Sequence, residues 1–165
     1  MPSRRKKPAS VFEKNAAYSR AIGVATGEMA ILENALGELQ AALLGIEAEL
    51  GRTMYLSSHT AFGRLATLDV AAADTLQTGS ALLDRVASIT KRARLLLQGQ
   101  HQMAHEIWRI AEGRHSSATR KGMAAQVHGL AQRARDARAL AAEVRATIAS
   151  VRRGRHGAKG ARVSA

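Results

Sequence analysis

Gln98 to Trp108 reads QGQHQMAHEIW, with His101 and His105 four residues apart and the only tryptophan of the chain just beyond them. On a helix, imidazoles at i and i+4 share one side, so the pair can present two ligands to one ion. A zinc site needs three or four matched ligands. No third ligand has the right spacing: Glu106 points about 100° away from His105 around a helix. His105-Glu106 is followed by Ile107, Trp108 and Arg109, which also breaks the zincin order H-E-x-x-H. No metal is expected, and no other cofactor. A second chemistry needs none. A neutral histidine near pH 7 can take the proton of an RNA 2′-hydroxyl as it attacks the adjacent phosphate, while a nearby cation offsets the developing charge. A third reading is structural, with His105 hydrogen-bonded inside a bundle and Trp108 anchoring the core. No Gly-rich phosphate loop, Ser-His-Asp order or paired-carboxylate spacing competes with this segment.

The elements that must hold it are helices. The chain has 165 residues, a length that fits one domain, and its two prolines stand at positions 2 and 8. Aromatic residues make up 3%, so the core is built from Ala, Leu, Ile, Val and Met. Ser10 and Glu13 form a capping box at the start of a first helix. Its stripe runs through Leu32, Leu36, Leu39, Leu43, Ile46 and Leu50 and is expected to stop at Gly51. Gly23 and Gly27 on the same helix offer a close approach or a bend. A second helix, capped from among Ser57, Ser58 and Thr60, buries Phe62, Leu65, Leu68 and Ala72. A third, capped by Ser80, carries Leu82, Leu83, Val86, Ile89, Ala93 and then the histidine segment. A last helix presents Met123, Val127, Leu130, Ala134, Ala137, Val144, Ile148 and Val151 on one face and is expected to end near Gly154. This predicts an all-α protein, an antiparallel four-helix bundle over residues 10–151 with a basic tail at each end, residues 1–9 and 152–165, both expected to be disordered.

The charge sharpens the reading. The net charge is +12, and Arg4, Arg5, Lys6 and Lys7 with Arg152, Arg153, Arg155, Lys159 and Arg162 supply nine of it. Such ends attract RNA, DNA or an acidic protein. There is no cysteine, which fits a reducing compartment. No apolar stretch follows the basic N-terminus as in a secretory signal, and no run of about 18 apolar residues spans a membrane. The protein is expected in the cytoplasm.

The segment QHQMAHEIW resembles the signature of HEPN-domain proteins (higher eukaryotes and prokaryotes nucleotide-binding). Small bacterial members carry a segment like R-N-x-x-A-H-G-x-W near their third helix. Ala104, His105 and Trp108 match it in type and spacing. MYLSSHTAFGRLATLDVAAA (54–73) and ENALGELQAAL (33–43) are similar to the family's second and first helices, so the resemblance spans roughly residues 16–150. It implies a four-helix domain, a homodimer with both motifs facing one RNA-binding cleft, and metal-independent ribonuclease activity in defence or toxin–antitoxin systems, with a protein partner such as an antitoxin. The family histidine falls at His105 and its arginine at Gln100. Glutamine hydrogen-bonds a phosphate without neutralising it. Glu106 adds a negative charge where glycine is common. The resemblance therefore casts His105 and Gln100 as the catalytic pair with His101 on the phosphate, and Arg94 or Arg109, outside the motif but within about two or three helical turns of His105, is the candidate to supply the missing charge. The chemistry around His105 is weakened relative to the family, which favours RNA or nucleotide binding over cleavage. The competing class is a helical adaptor whose stripes bind a protein.

Overall fold

The computed structural model describes residues 15–111 and 120–163, with side chains placed over residues 15–99 and 122–155. These residues form five helices and no strand: α1 (Ala16–Leu44), α2 (Ala48–Leu56), α3 (Ala61–Thr75), α4 (Ala81–Ala111) and α5 (Arg120–Val163). Ser10 and the N-terminal basic segment lie outside the described residues. The cap seen on α1 is Asn15, whose side chain accepts the Tyr18 N–H at 3.1 Å. Thr60 caps α3 through the Gly63 N–H at 3.0 Å, and Ser80 caps α4 through the Leu83 N–H at 3.2 Å. Both were among the candidates in the sequence.

Five helices replace the expected four because the first one breaks early. Gly45 takes a left-handed conformation (φ 72°), and the N–H groups of Gly45 and Ile46 both donate to the Ala41 carbonyl. That closes α1 in a Schellman-like turn. The chain bends by 116° into α2, so Ile46 and Leu50 leave the stripe, and Leu50 is 53% exposed. The apolar period runs on across the break because α2 is itself amphipathic, which hides the boundary in the sequence. Gly51 does not end a helix. It lies buried within α2 against α1, where an added Cβ would stand 2.3 Å from the Cβ of Ala41. Gly37 answers it from α1, its own Cβ position 2.9 Å from the Arg52 Cα.

The extra reversal changes the direction of the last helix. Asn15 meets Met123, Glu28 meets Arg138, and Leu43 meets Arg155, so α1 and α5 run parallel over their shared length. A four-helix up-and-down bundle would set its first and last helices antiparallel. Arg92 meets Glu143 and Gly99 meets Arg133, so α4 runs against α5. The core is the one the apolar stripes define: Leu32, Leu36 and Leu39 of α1, Leu65 and Leu68 of α3, Val86 and Ile89 of α4, and Val144 of α5 are fully enclosed. A second cluster joins the first half of α1 to the first half of α5, with Tyr18 and Ala25 against Met123, Leu130 and Ala134. Phe62, expected inside, is 67% exposed. Gly23 and Gly27 face open space, so they serve no close approach among the described residues.

The last helix passes Gly154 and continues to Val163, through most of the segment expected as a disordered tail. One of its arginines closes the fold: Arg155 donates from Nη1 to the carbonyl oxygens of Ala42 and Leu43 at 2.9 and 2.7 Å. These are carbonyls of the last turn of α1, which have no partner within that helix and carry its negative end. No single helix among the described residues is long and apolar enough to cross a membrane.

Candidate nucleic-acid interface

The histidine segment forms the second half of α4. The side chains of Gln100, His101, His105 and Arg109 lie outside the described residues. Arg94 is described. Its Nη2 pairs with Asp69 Oδ2 of α3 at 3.1 Å, and its guanidinium sits 5.2 Å from the Phe62 ring centroid. That contact gives the exposed Phe62 its role, a platform on which Arg94 lies. Arg94 is eleven residues before His105, about 16 Å along a helix. Its charge is opposed by Asp69, and it binds α4 to α3.

A different cation stands nearer. Arg133 of α5 donates from Nη1 to the carbonyl oxygen of Gly99 at 3.0 Å, one residue before Gln100. Its guanidinium carbon lies 3.5 Å from where a Cβ on Gly99 would be. The arginine thus packs against the backbone of α4 at ordinary van der Waals distance. The axial step from Gly99 to His105 is about 9 Å. Arg133, Gln98, Gly99, Leu95 and Leu96 line an open pocket of about 350 Å³. Two turns earlier on the same face of α5, Gln126 holds a buried side-chain oxygen with no hydrogen-bond partner among the described residues. Sequence reasoning missed both residues, because it set Arg133 off the apolar face of the last helix and had no way to tell which neighbour that side met.

The helices also separate the charge. Residues 81–165 hold 17 of the 25 Lys and Arg and five of the 13 acids, a net +12. Residues 15–80, which make α1 to α3, hold seven acids and three arginines, a net −4. The tails therefore do not account for the basicity alone. Several of the α4–α5 cations are already paired: Arg92 with Glu143, Arg94 with Asp69, and Arg138 with Glu28. Arg85, Lys91, Arg135, Arg152 and Arg153 are exposed and in no described ion pair. Such cations keep their full attraction for a polyanion.

Other candidates go elsewhere. Among the described residues Glu33 of α1 is engaged by α3. It pairs with Arg64 of α3, whose Nη1 also donates to the Ser58 carbonyl at 3.1 Å and whose guanidinium lies 6.0 Å from the Tyr55 ring centroid. Tyr55 is fully buried, and its hydroxyl makes no well-formed hydrogen bond among the described residues, with the Arg64 guanidinium as a nearby polar influence. Burial first, and then the Glu33 charge, push that hydroxyl well above the ordinary phenol range. This cluster fastens α1, α2 and α3 together. Asn34, His59 and His128 are exposed. Among the described residues no three His, Asp or Glu side chains converge as ligands for a metal ion. No family model, curated protein or solved structure matches the chain.

Proposed function

We propose that this chain is an RNA-binding helical protein of the HEPN kind, acting in the cytoplasm, in which α4 and α5 form the surface that holds the RNA backbone. The observation that carries this reading is the division of charge, +12 over residues 81–165 against −4 over residues 15–80. Phosphates are held first by Lys and Arg that are free of internal partners. Among the described residues Arg85, Lys91 and Arg152 meet that condition, and Arg135 and Arg153, which donate only to the uncharged Gln132 Oε1 and Ser150 Oγ of their own helix, have no carboxylate opposing their charge. Arg133 adds a cation at the head of the histidine segment, where the resembling family carries an arginine and this chain has Gln100.

Binding rather than rapid cleavage is the function this arrangement supports. Cleavage needs a base and a cation on the same phosphate. His105 is the base that the resemblance supplies. Gln100 brings no charge, and Arg94 spends its charge on Asp69. The defence or toxin–antitoxin setting and an antitoxin-like partner belong to this reading through the resemblance. The test is titration of single-stranded RNA with the full chain at several salt concentrations, beside an RNA cleavage assay in EDTA with wild type and His105→Ala. The expected result is binding that weakens steeply with salt and is kept in His105→Ala, with no or slow cleavage. Absence of binding at about 50 mM salt contradicts the reading.

A further inference from the structure

The acidic side of the molecule carries a feature that RNA binding does not use. An open trough of about 510 Å³ lies between α2 and α3, with Gln40 and Leu44 of α1 beneath it, Met54 and Ser57 on the α2 wall and Val70 and Asp74 on the α3 wall. Its apolar walls face solvent, Met54 at 44% and Val70 at 61% exposure. Gln40 is 4% exposed, yet its side-chain oxygen meets no hydrogen bond among the described residues. A buried acceptor in the floor of an open trough calls for a donor from an occupant.

One end of the trough is negative. Glu47 precedes the first residue of α2 and Asp74 lies in the last turn of α3. Asp74 and Leu44 both line the trough, and Glu47 follows Leu44 by three residues, which puts both carboxylates toward the Leu44 end. Neither is in an ion pair among the described residues. The matching occupant has cations at one end, apolar side chains about 10 Å further on, and a hydrogen-bond donor between. Residues 4–12, RRKKPASVF, have that order, with four cations followed by Ser10, Val11 and Phe12. Lys7 and Val11 are about 13 Å apart in extended chain, and Glu47 and Met54 about 10 Å apart on a helix. Charge agrees as well: residues 1–14 carry a net +4 and residues 15–80 a net −4.

The segment cannot reach its own trough. Gln40 lies 25 residues into α1 from Asn15, about 37 Å, whereas Phe12 is three residues, about 10 Å, ahead of Asn15. We infer that the trough receives the basic N-terminal segment of a second copy, with Val11 and Phe12 on Met54 and Val70 and the cations Arg4 to Lys7 at Glu47 and Asp74. This makes the protein self-associate through a surface separate from α4 and α5.

Sedimentation velocity of the full chain tests it, at low and high salt, with wild type, Glu47→Lys/Asp74→Lys, Arg5→Glu/Lys6→Glu, and the four changes combined. The expected result is salt-sensitive association of the wild type, at least about tenfold weaker in either double variant and restored in the combined variant, where the charges are exchanged. A fluorescent peptide of residues 1–14 is expected to bind the wild type and to lose affinity for Glu47→Lys/Asp74→Lys. A monomeric wild type, an association unchanged by either double variant, or equal binding of a scrambled peptide of the same composition would overturn the inference. RNA affinity measured on the same variants keeps the two readings apart. Glu47→Lys/Asp74→Lys is expected to retain RNA binding, whatever happens to association.

Discussion

Arg133 donates to the carbonyl oxygen of Gly99 at 3.0 Å and so brings a cation from α5 to the residue before Gln100 on α4. In the RNA-binding account this arginine holds a phosphate beside the histidine segment. Arg133→Ala is expected to weaken RNA binding by about three- to tenfold and to lower the salt slope by about one. Arg133→Lys keeps the charge and is expected to recover most of the affinity. An Arg133→Ala protein with unchanged affinity and slope would confine the residue to helix packing.

Gly45 and Arg155 form a second pair whose energetics are open to measurement. Any side chain at Gly45 meets a left-handed backbone and places its Cβ about 2.5 Å from the Arg155 guanidinium. Gly45→Ala is expected to cost about 2 kcal/mol or more, from the backbone strain and the displaced arginine. Gly23→Ala and Gly27→Ala, in open space within the same helix, are expected to stabilise by about 0.5–1 kcal/mol each. Urea denaturation of the three variants checks the opposite signs.

The Glu28–Arg138 contact between α1 and α5 gives a pH dependence. The hydrogen bond from Arg138 first, and then the charges of Arg138 and Arg145, hold the Glu28 carboxyl below its ordinary value of 4.5, against burial acting the other way. A carboxyl lowered in the folded state stabilises above its unfolded value, and the effect is lost as pH falls through the folded one. The melting-temperature difference between wild type and Glu28→Gln is expected to be constant above about pH 6 and to vanish by about pH 2. A difference that persists into acid would assign the contact to packing.

Tyr55 predicts the reverse sense at high pH. Its hydroxyl is buried without a well-formed hydrogen bond among the described residues and is held above the ordinary phenol value of 10.0 by burial first and then by Glu33. The neutral form belongs to the fold, so stability is present below about pH 10 and falls above it as the unfolded chain ionises. Tyr55→Phe keeps the ring under Arg64 and removes the unsatisfied oxygen. It is expected to be neutral or stabilising by up to about 1 kcal/mol, and to lose this part of the alkaline destabilisation. A loss of more than about 1 kcal/mol in Tyr55→Phe would mean that the hydroxyl has a partner in solution.

Much of the helical layout was legible because local rules decide it. Thr60 and Ser80 cap where the sequence offers them, and the stripes at Leu65 and Leu68, Val86 and Ile89, and Val144 and Ile148 are buried. The end of α1 was not. Gly45 and Gly51 look alike in one dimension, and only the packing of α2 on α1 decides which glycine turns and which makes room. The parallel course of α1 and α5 follows from that one missed reversal. Arg155 counted as a tail charge because its partners are backbone carbonyls, which no side-chain pattern announces. The site was readable as a segment of α4. Its nearest described cation, Arg133, comes from a helix 34 residues further on.

In the proposed function α4 and α5, rather than positive charge in general, hold RNA. This is tested by RNA affinity at about 100 mM salt for two variants with the same change in charge. One carries Arg135→Glu and Arg153→Glu on α5. The other carries Arg20→Glu, Ala30→Glu and Gln77→Glu, all exposed and outside α4 and α5. The account predicts at least a tenfold loss for the first and less than about threefold for the second, with both melting as the wild type does. Equal losses in the two, or affinity retained in the first, would contradict it.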